Sequence, residues 1–368
     1  MSKTVDTLKD TGVSADWKAV MGTEEEALVV NPFAQEKVKV FSHNDLDGVG
    51  CGIVALMAHP TADVEYCSYQ NINDKVKEFI TTKGYESFDR IYITDISVNE
   101  EVAELIEEHC PEKVRLLDHH GTAKWLDDKY LWVLVSEKRH DGSINSGTNL
   151  LFEDLYSQGH FKGERYQDAL TIFVEMVRRY DSWEWKNVYN DQNPMQLNNL
   201  FFLVGINKFV NRYVDRFRTL DLFTVCEGYW MEMFDETDIA VLTIDNKKKE
   251  AYIKRKEKQM IKASLIGYDV GVVFAEQYIS ELGNELSERN QDLEFIVIVD
   301  MGAKKVSYRT IHAHVNLGKD VAGLYGGGGH PKASGSMFDE RVLTWAYKVI
   351  FGLGFIGKFK KIVDRFKK

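Results

Sequence analysis

"VKVFSHNDLDGVGCGIVA", from Val38 to Ala55, decides how this chain is read. An apolar run ends at His43, and two carboxylates, Asp45 and Asp47, follow at alternate positions. Gly48, Gly50 and Gly52 then open an apolar segment with helical character. The direct reading is a strand, a sharp turn and a helix. One Asp ahead of a helix is an ordinary N-cap and needs no further account. Two Asp and a His in one turn do, because clustered carboxylates repel one another unless a proton or cation sits among them. A dinucleotide site is disfavoured. The glycines are spaced GxGxG rather than GxGxxG, and Asp45 and Asp47 would repel a pyrophosphate.

The same pattern recurs downstream. Strands are expected at "VEYCSY", "RIYITDIS" and "KVRLLDHH", with helical segments such as "VNEEVAELIEEH" between the later ones. This alternation predicts a parallel sheet with helices on both faces, and such sheets carry their sites at the carboxyl ends of the strands. His43, Asp45, Asp47, Asp95, Asp118 and His119 all fall just past an expected strand end, and Asp181 follows the helical "TIFVEMVRRY". Separate segments thus offer His and Asp to one edge. Carboxylates suit hard divalent cations and imidazole adds softer character, a mixture better matched to Mn²⁺ than to a pure Mg²⁺ cage. Two adjacent divalent ions are a common device for phosphoester hydrolysis.

From about Tyr166 to Phe234 the pattern turns helical and aromatic-rich, a stretch expected to supply core and interdomain packing. Asp245–Lys262 reads as one long, basic, exposed helix leading into a second domain. There, strands are expected at "DVGVVFAE", "EFIVIVDM" and "KVSYRTIHAHV", followed by "GLYGGGGHPKASGSM" and a closing helix. "GGGGHPKASG" is not a P-loop, since no GK[ST] follows. Its glycines let several N–H groups converge on an anion, and His330 and Lys332 add donors. Arg309 lies on a strand, and a guanidinium is the natural partner of a terminal phosphate. His312 and His314 alternate with apolar residues and are expected to share one strand face as structural or rim residues. The expected organisation is a leader over 1–36, a catalytic domain over 37–190, a helical connector over 191–264 and a smaller α/β domain over 265–368.

The 368 residues carry a net charge of −11, which argues against coating long nucleic acid by bulk charge. Four cysteines without a CxxC pair suggest reduced thiols and a cytoplasmic setting. No apolar signal core and no run of about 18 apolar residues is found, so no membrane is expected as a partner. The tail "GKFKKIVDRFKK" has amphipathic helical spacing suited to its own domain or to a homodimer partner.

Taken in order, "HNDLDG", "TD" at Asp95, "LLDHHGT" and Asp181 resemble the successive motifs of the DHH phosphoesterase superfamily. "GGGGHPKASG" resembles the glycine-rich signature of its DHHA1 companion domain, and the resemblance runs from about Val38 to Met337. The form "SHNDLDGVGCG" looks most like the bacterial and phage branch that degrades short oligonucleotides, the oligoribonuclease (nanoRNase) B type. The resemblance implies two Mn²⁺, with Mg²⁺ or another divalent ion as the alternative. His43, Asp45 and Asp95 would hold one ion; Asp47, Asp95, His119 and Asp181 would hold the other, with Asp191 as a substitute for Asp181. Asp118 would orient a neighbouring imidazole, and His120 would face the scissile phosphate. Arg309, Asn316, Gly328, Gly329 and His330 would bind the substrate across a cleft between the domains. The implied activity is hydrolysis of short oligoribonucleotides to nucleoside monophosphates. Alternatives are hydrolysis of a cyclic or linear dinucleotide signal or of 3′-phosphoadenosine 5′-phosphate. A reading from another class is a protein that sequesters nucleotides without cutting them.

Overall fold

The structure, a computed structural model, describes residues 36–219 and 233–351; the leader up to residue 35 and the basic tail lie outside them. The chain divides into two compact units, Met1–Met233 and Phe234–Lys368. Each is built around its own sheet.

In the first unit, five parallel strands lie in the order β2-β1-β3-β4-β5. They are β1 (Val38–His43), β2 (Asp63–Cys67), β3 (Arg90–Thr94), β4 (Val114–Asp118) and β5 (Val133–Val135). Val38, Val40, Ile91, Ile93, Leu116 and Leu117 are all buried, as expected of strands covered on both faces. One face packs on α2 (Ile72–Thr81), α3 (Glu100–His109) and α4 (Lys124–Lys129), through Val76, Ile80, Val102, Ile106 and Leu126. The other face carries α1 (Leu46–Ala58) and α5 (Gly147–Ser157). Chain order reverses at β1, which lies between β2 and β3. A crevice therefore opens beyond the carboxyl ends of β1 and β3, where ligands bind in sheets of this kind.

Helix α1 is buried on nearly every side, because α5, α6 (Gln167–Asp181) and α9 (Ile206–Arg218) also pack on it. That accounts for its all-round apolar sequence. Its glycines serve this packing. A Cβ at Gly48 would lie 2.2 Å from the His43 carbonyl oxygen, one at Gly50 2.4 Å from Thr148 Oγ1, and one at Gly52 2.1 Å from the Tyr66 hydroxyl. The short α7 (Glu184–Asn187) and α8 (Asn193–Val204) follow α6. Part of the aromatic-rich stretch is core, with Phe173 of α6 in contact with Phe209, Tyr213 and Phe217 of α9, whereas Trp183, Tyr189 and Phe202 are exposed rather than packed.

The second unit opens with α10 (Glu236–Gln259), started by a capping box between Asp235 and Asp238. Its sheet has six strands in the order β10-β11-β9-β8-β7-β6. They are β6 (Ile261–Leu265), β7 (Tyr268–Phe274), β8 (Phe295–Asp300), β9 (Lys305–Arg309), β10 (Gly328–His330) and β11 (Ala333–Met337). Only β7 and β8 pair in parallel. Helix α11 (Ile279–Arg289) covers one face with Leu282 and Leu286. Leu317, Val321 and Ala322, in helical turns ahead of β10, cover the other. The closing helix is α12 (Arg341–Ile350).

Two sequence expectations need correction here. The basic helix does not reach Lys262: it ends at Gln259, and Ile261–Leu265 pairs with β7 as an edge strand. Lysine on an edge strand is ordinary protection against further pairing, so its charge carried no helical information. Likewise β9 stops at Arg309, the partner of Ala333, where β11 begins. Thr310 N instead donates to Lys332 O, and His312 and His314 lie in the following loop rather than on a strand face. The glycine tract is ordered as the β10–β11 hairpin. Among the described residues no helix is long and apolar enough to cross a membrane, and Cys51, Cys67 and Cys110 are buried free thiols.

Candidate metal centre

The ends of β1 and β3 are tied together before any ionisable group is reached. Ser42 Oγ donates to Gly48 O at 2.7 Å, and Thr94 Oγ1 donates to Ser42 Oγ at 2.8 Å. Beyond this tie, His43 Nδ1 lies 2.8 Å from Asp45 Oδ2 and 3.8 Å from Asp95 Oδ2. Asp45 also caps α1, its Oδ1 accepting from Gly48 N at 3.0 Å. Asp95 follows β3 with a left-handed φ of 57°, held by its amide donating to Leu117 O. A non-glycine residue in that region is unusual, and such strain concentrates at functional sites.

β4 delivers the next group. His119 Nε2 lies 3.2 Å from Asp95 Oδ1, 3.5 Å from Asp181 Oδ2 at the end of α6, and 3.6 Å from Asp47 Oδ2. Two sets of potential ligand atoms result: His43, Asp45 and Asp95, and Asp47, His119 and Asp181, the atoms of each lying within 4.8 Å of one another. Asp95 touches both sets through His43 and His119. Asp118, His119, His120 and Asp95 form a third, overlapping set. Asp191 joins none of these among the described residues; its Oδ1 accepts from Asn193 N in a local turn.

The electrostatics show what the cluster would accept. Burial raises the Asp95 carboxyl well above the usual range, and Asp47 and Asp45 add to the effect. The same burial and the same neighbours push Asp181 up to about 8. Burial also lowers His119, which favours the neutral imidazole a metal needs. Asp95 Oδ2 is buried without a hydrogen bond. Buried carboxylates that raise one another, an acceptor with no donor and a neutral imidazole fit divalent cations of mixed oxygen and nitrogen preference. Asp45 moves the other way: burial would raise it, but His43 and the Gly48 amide bring it below its ordinary value.

His120 is held differently. Its Nδ1 lies 2.7 Å from Asp118 Oδ1, which also accepts from the His119 and His120 amides. Ser97 Oγ donates to the other Asp118 oxygen. The Asp118 hydrogen bond raises His120 despite its partial burial. Asp118 is itself buried, which would raise it, but the His120 contact lowers it. A fully bonded carboxylate thus fixes one ring nitrogen and leaves the other to act.

Two contributors escaped the sequence reading. Gly147 N donates to Asp47 Oδ2 at 2.6 Å and Thr148 N to Asp47 Oδ1 at 2.9 Å, so the first turn of α5 clamps both oxygens. Ser146 caps that helix. The only hint was Ser-Gly-Thr before an apolar run, an N-cap signature with no chemistry of its own. Tyr69, past β2, packs its ring 4.7 Å from that of His43 while remaining 57% exposed. Burial and the nearby Asp95 and Asp118 push its phenol up to about 12.

In the second unit, a cavity of about 410 Å³ is lined by Arg309, Lys305, Ser307, Gly326 to Gly329 and Ala333 to Met337. Arg309 is steadied by Nη1 donating to Tyr308 O and Nη2 to Ser280 Oγ, and burial lowers its pKa. Gly328 and Gly329 share the cavity with Arg309, whereas Asn316 and His330 are not among its walls. Asn316 Oδ1 accepts from Lys319 N, and His330 Nδ1 accepts from Lys332 N.

No family model matches the chain. Over 307 residues it is 40% identical to the oligoribonuclease NrnB of Bacillus subtilis (strain 168), covering 82% of this chain and 73% of that protein. The solved DHH domain of a member of the s1p family of ribosomal proteins is similar in fold, with a TM-score of 0.51 at 14% identity over 85% of this chain and 86% of that one. The pGpG-specific phosphodiesterase PggH of Vibrio cholerae gives a TM-score of 0.48 at 12% identity over 86% of this chain and 97% of that one.

Proposed function

The chain belongs to the DHH phosphoesterase family that includes oligoribonuclease NrnB, and from that premise we propose that it is a cytoplasmic phosphodiesterase releasing nucleoside monophosphates from short oligoribonucleotides. The observation that carries this reading is the convergence of two ligand sets on Asp95, with His120 beside them. His43, Asp45 and Asp95 would hold one divalent cation, and Asp47, Asp95, His119 and Asp181 a second, with Mn²⁺ the best match to the mixed set. Bound there, the ions supply Lewis-acid charge and an activated water.

The remaining work falls to the chain. The α5 amides hold both oxygens of Asp47 in place. Asp95 balances charge for both ion positions. Asp118 holds Nδ1 of His120, so that the opposite nitrogen donates a proton or hydrogen bond to a phosphate oxygen or the leaving oxygen. Tyr69 and Trp183, both exposed, offer ring faces for a base. In the second unit, Arg309 with the Gly328 and Gly329 backbone would bind the far phosphate, assisted by Asn316 and His330. A 410 Å³ cavity suits a nucleotide-sized group rather than a long strand.

The test is product analysis of di- to pentaribonucleotides labelled at either end, with cyclic dinucleotides and phosphoadenosine phosphate alongside, in Mn²⁺ and in Mg²⁺. Monophosphates from the short ribonucleotides are expected. Turnover confined to a dinucleotide signal would replace the substrate assignment. A panel left intact in Mn²⁺ would replace catalysis with sequestration.

A further inference from the structure

Glu294, His312 and His314 form a fourth group of side chains able to ligate a metal, wholly within the second unit. One ligand atom from each lies within 4.8 Å of the other two. His314 Nε2 is 2.7 Å from Glu294 Oε2, and the two imidazole rings stand 5.4 Å apart, tilted by 49°. The scaffold beneath them is tied down. Glu294 N donates to Asp269 O at 2.8 Å, and Thr310 Oγ1 donates to Glu294 O at 2.6 Å while accepting from His312 N at 3.0 Å. His312 Nε2 sits 3.2 Å from Leu293 O, which fixes that ring's orientation.

We propose that Glu294, His312 and His314 bind a transition-metal ion of the Zn²⁺ class on the surface of the second unit. An ordinary surface ion pair requires only His314 and Glu294. It does not account for a second imidazole, from the same loop, turned to the same place and held there by a backbone carbonyl. Restraint of a ring by a carbonyl is the usual support of a metal-bound histidine. Two imidazoles and one carboxylate make a three-ligand set that leaves a coordination position open to water. Such nitrogen-rich sites hold Zn²⁺, Ni²⁺ or Cu²⁺ more tightly than Mn²⁺, so this site and the acidic centre of the first unit would sort different ions. The ion would also pin the loop 310–316 to the start of β8.

The test uses the full chain saturated with Mn²⁺ and then titrated with Zn²⁺ against a chromophoric chelator. Wild type is expected to take up one Zn²⁺ more than His314→Ala or His312→Ala, or to hold that ion on the order of 100-fold more tightly, since even outer-sphere partners of a metal cost about 10–100-fold. Zn²⁺ should also raise the melting temperature of wild type more than that of either variant. Glu294→Gln keeps the side-chain shape and provides the comparison should a histidine variant fail to fold. Equal Zn²⁺ stoichiometry and affinity in wild type and the folded variants would overturn the proposal.

Discussion

Replacing Gly147 by Ala tests the seating of α5 on the acidic centre. The added Cβ would lie 2.5 Å from Asp95 Cβ and 2.9 Å from Asp95 Cα, where ordinary contact begins at 3.4 Å. Relief requires a shift of about 1 Å between the α5 terminus and the end of β3, because packed interiors do not absorb it elsewhere. The same shift strains the Gly147 and Thr148 amide bonds to Asp47, now 2.6 and 2.9 Å. Overpacking of this kind costs about 1–3 kcal/mol, and each weakened bond to a charged group up to about 1.5–3 kcal/mol more. A net loss of about 2–4 kcal/mol is expected. A misplacement of roughly 1 Å at a reacting centre costs on the order of 100-fold in rate. Urea denaturation read by tryptophan fluorescence and Mn²⁺-supported hydrolysis of an end-labelled diribonucleotide measure the two effects. Gly142→Ala is the control: its φ is 86° and nothing stands within 4 Å, so it should lose about 1–2 kcal/mol to backbone strain and keep its rate. If Gly147→Ala matches wild type in both stability and turnover, the clamp on Asp47 does not hold the site.

Other outcomes follow from the same geometry. His120→Ala should lower kcat by roughly 10²–10⁴-fold with metal binding retained. Asp118→Asn removes the bond that raises His120, so the alkaline limb of the pH–rate profile should move to lower pH; an unmoved limb removes Asp118 as the orienting group. Asp181 is raised to about 8 in the folded chain against an ordinary 3.8, so its contribution to stability is full below pH 4 and is lost as pH rises through about 8. Metal-free protein should therefore weaken from pH 6 to 8.5 in urea titrations, and Asp181→Asn should flatten that slope. Arg309→Ala should raise KM about 10-fold or more while leaving kcat nearly unchanged, as expected for a charged contact made equally in the ground and transition states.

The fold was legible where burial writes a period into the sequence. Strands such as "RIYIT" and helices such as "EEVAELIEEH" lie where their patterns put them. Asp45, Asp47, Asp95 and Asp118 could be anticipated for the same reason, since they lie at or just past a strand whose end was readable, whereas Asp181 closes a helix. The clamp on Asp47 could not, because its donors are backbone amides, which every residue but proline carries. Gly147 matters through a close approach that only the folded chain reveals. The end of β9 was illegible for a different reason. Strand length is set by the partner, and alternation in "RTIHAHV" continues past the last residue that β11 can pair.

Asp47 meets the amides of residues a hundred positions further along the chain. During synthesis, the segments bearing His43, Asp45, Asp47 and Asp95 leave the ribosome well before the helix turn that fixes Asp47, and Asp181 emerges later still. Until then the nascent chain holds a set of mutually repelling carboxylates with neither the α5 amides nor Asp181 in place. On the proposed ligand assignment, complete ion uptake would require translation to have passed Asp181, and a fragment stopped before Ser146 should bury these acids poorly and be a substrate for chaperones and proteases.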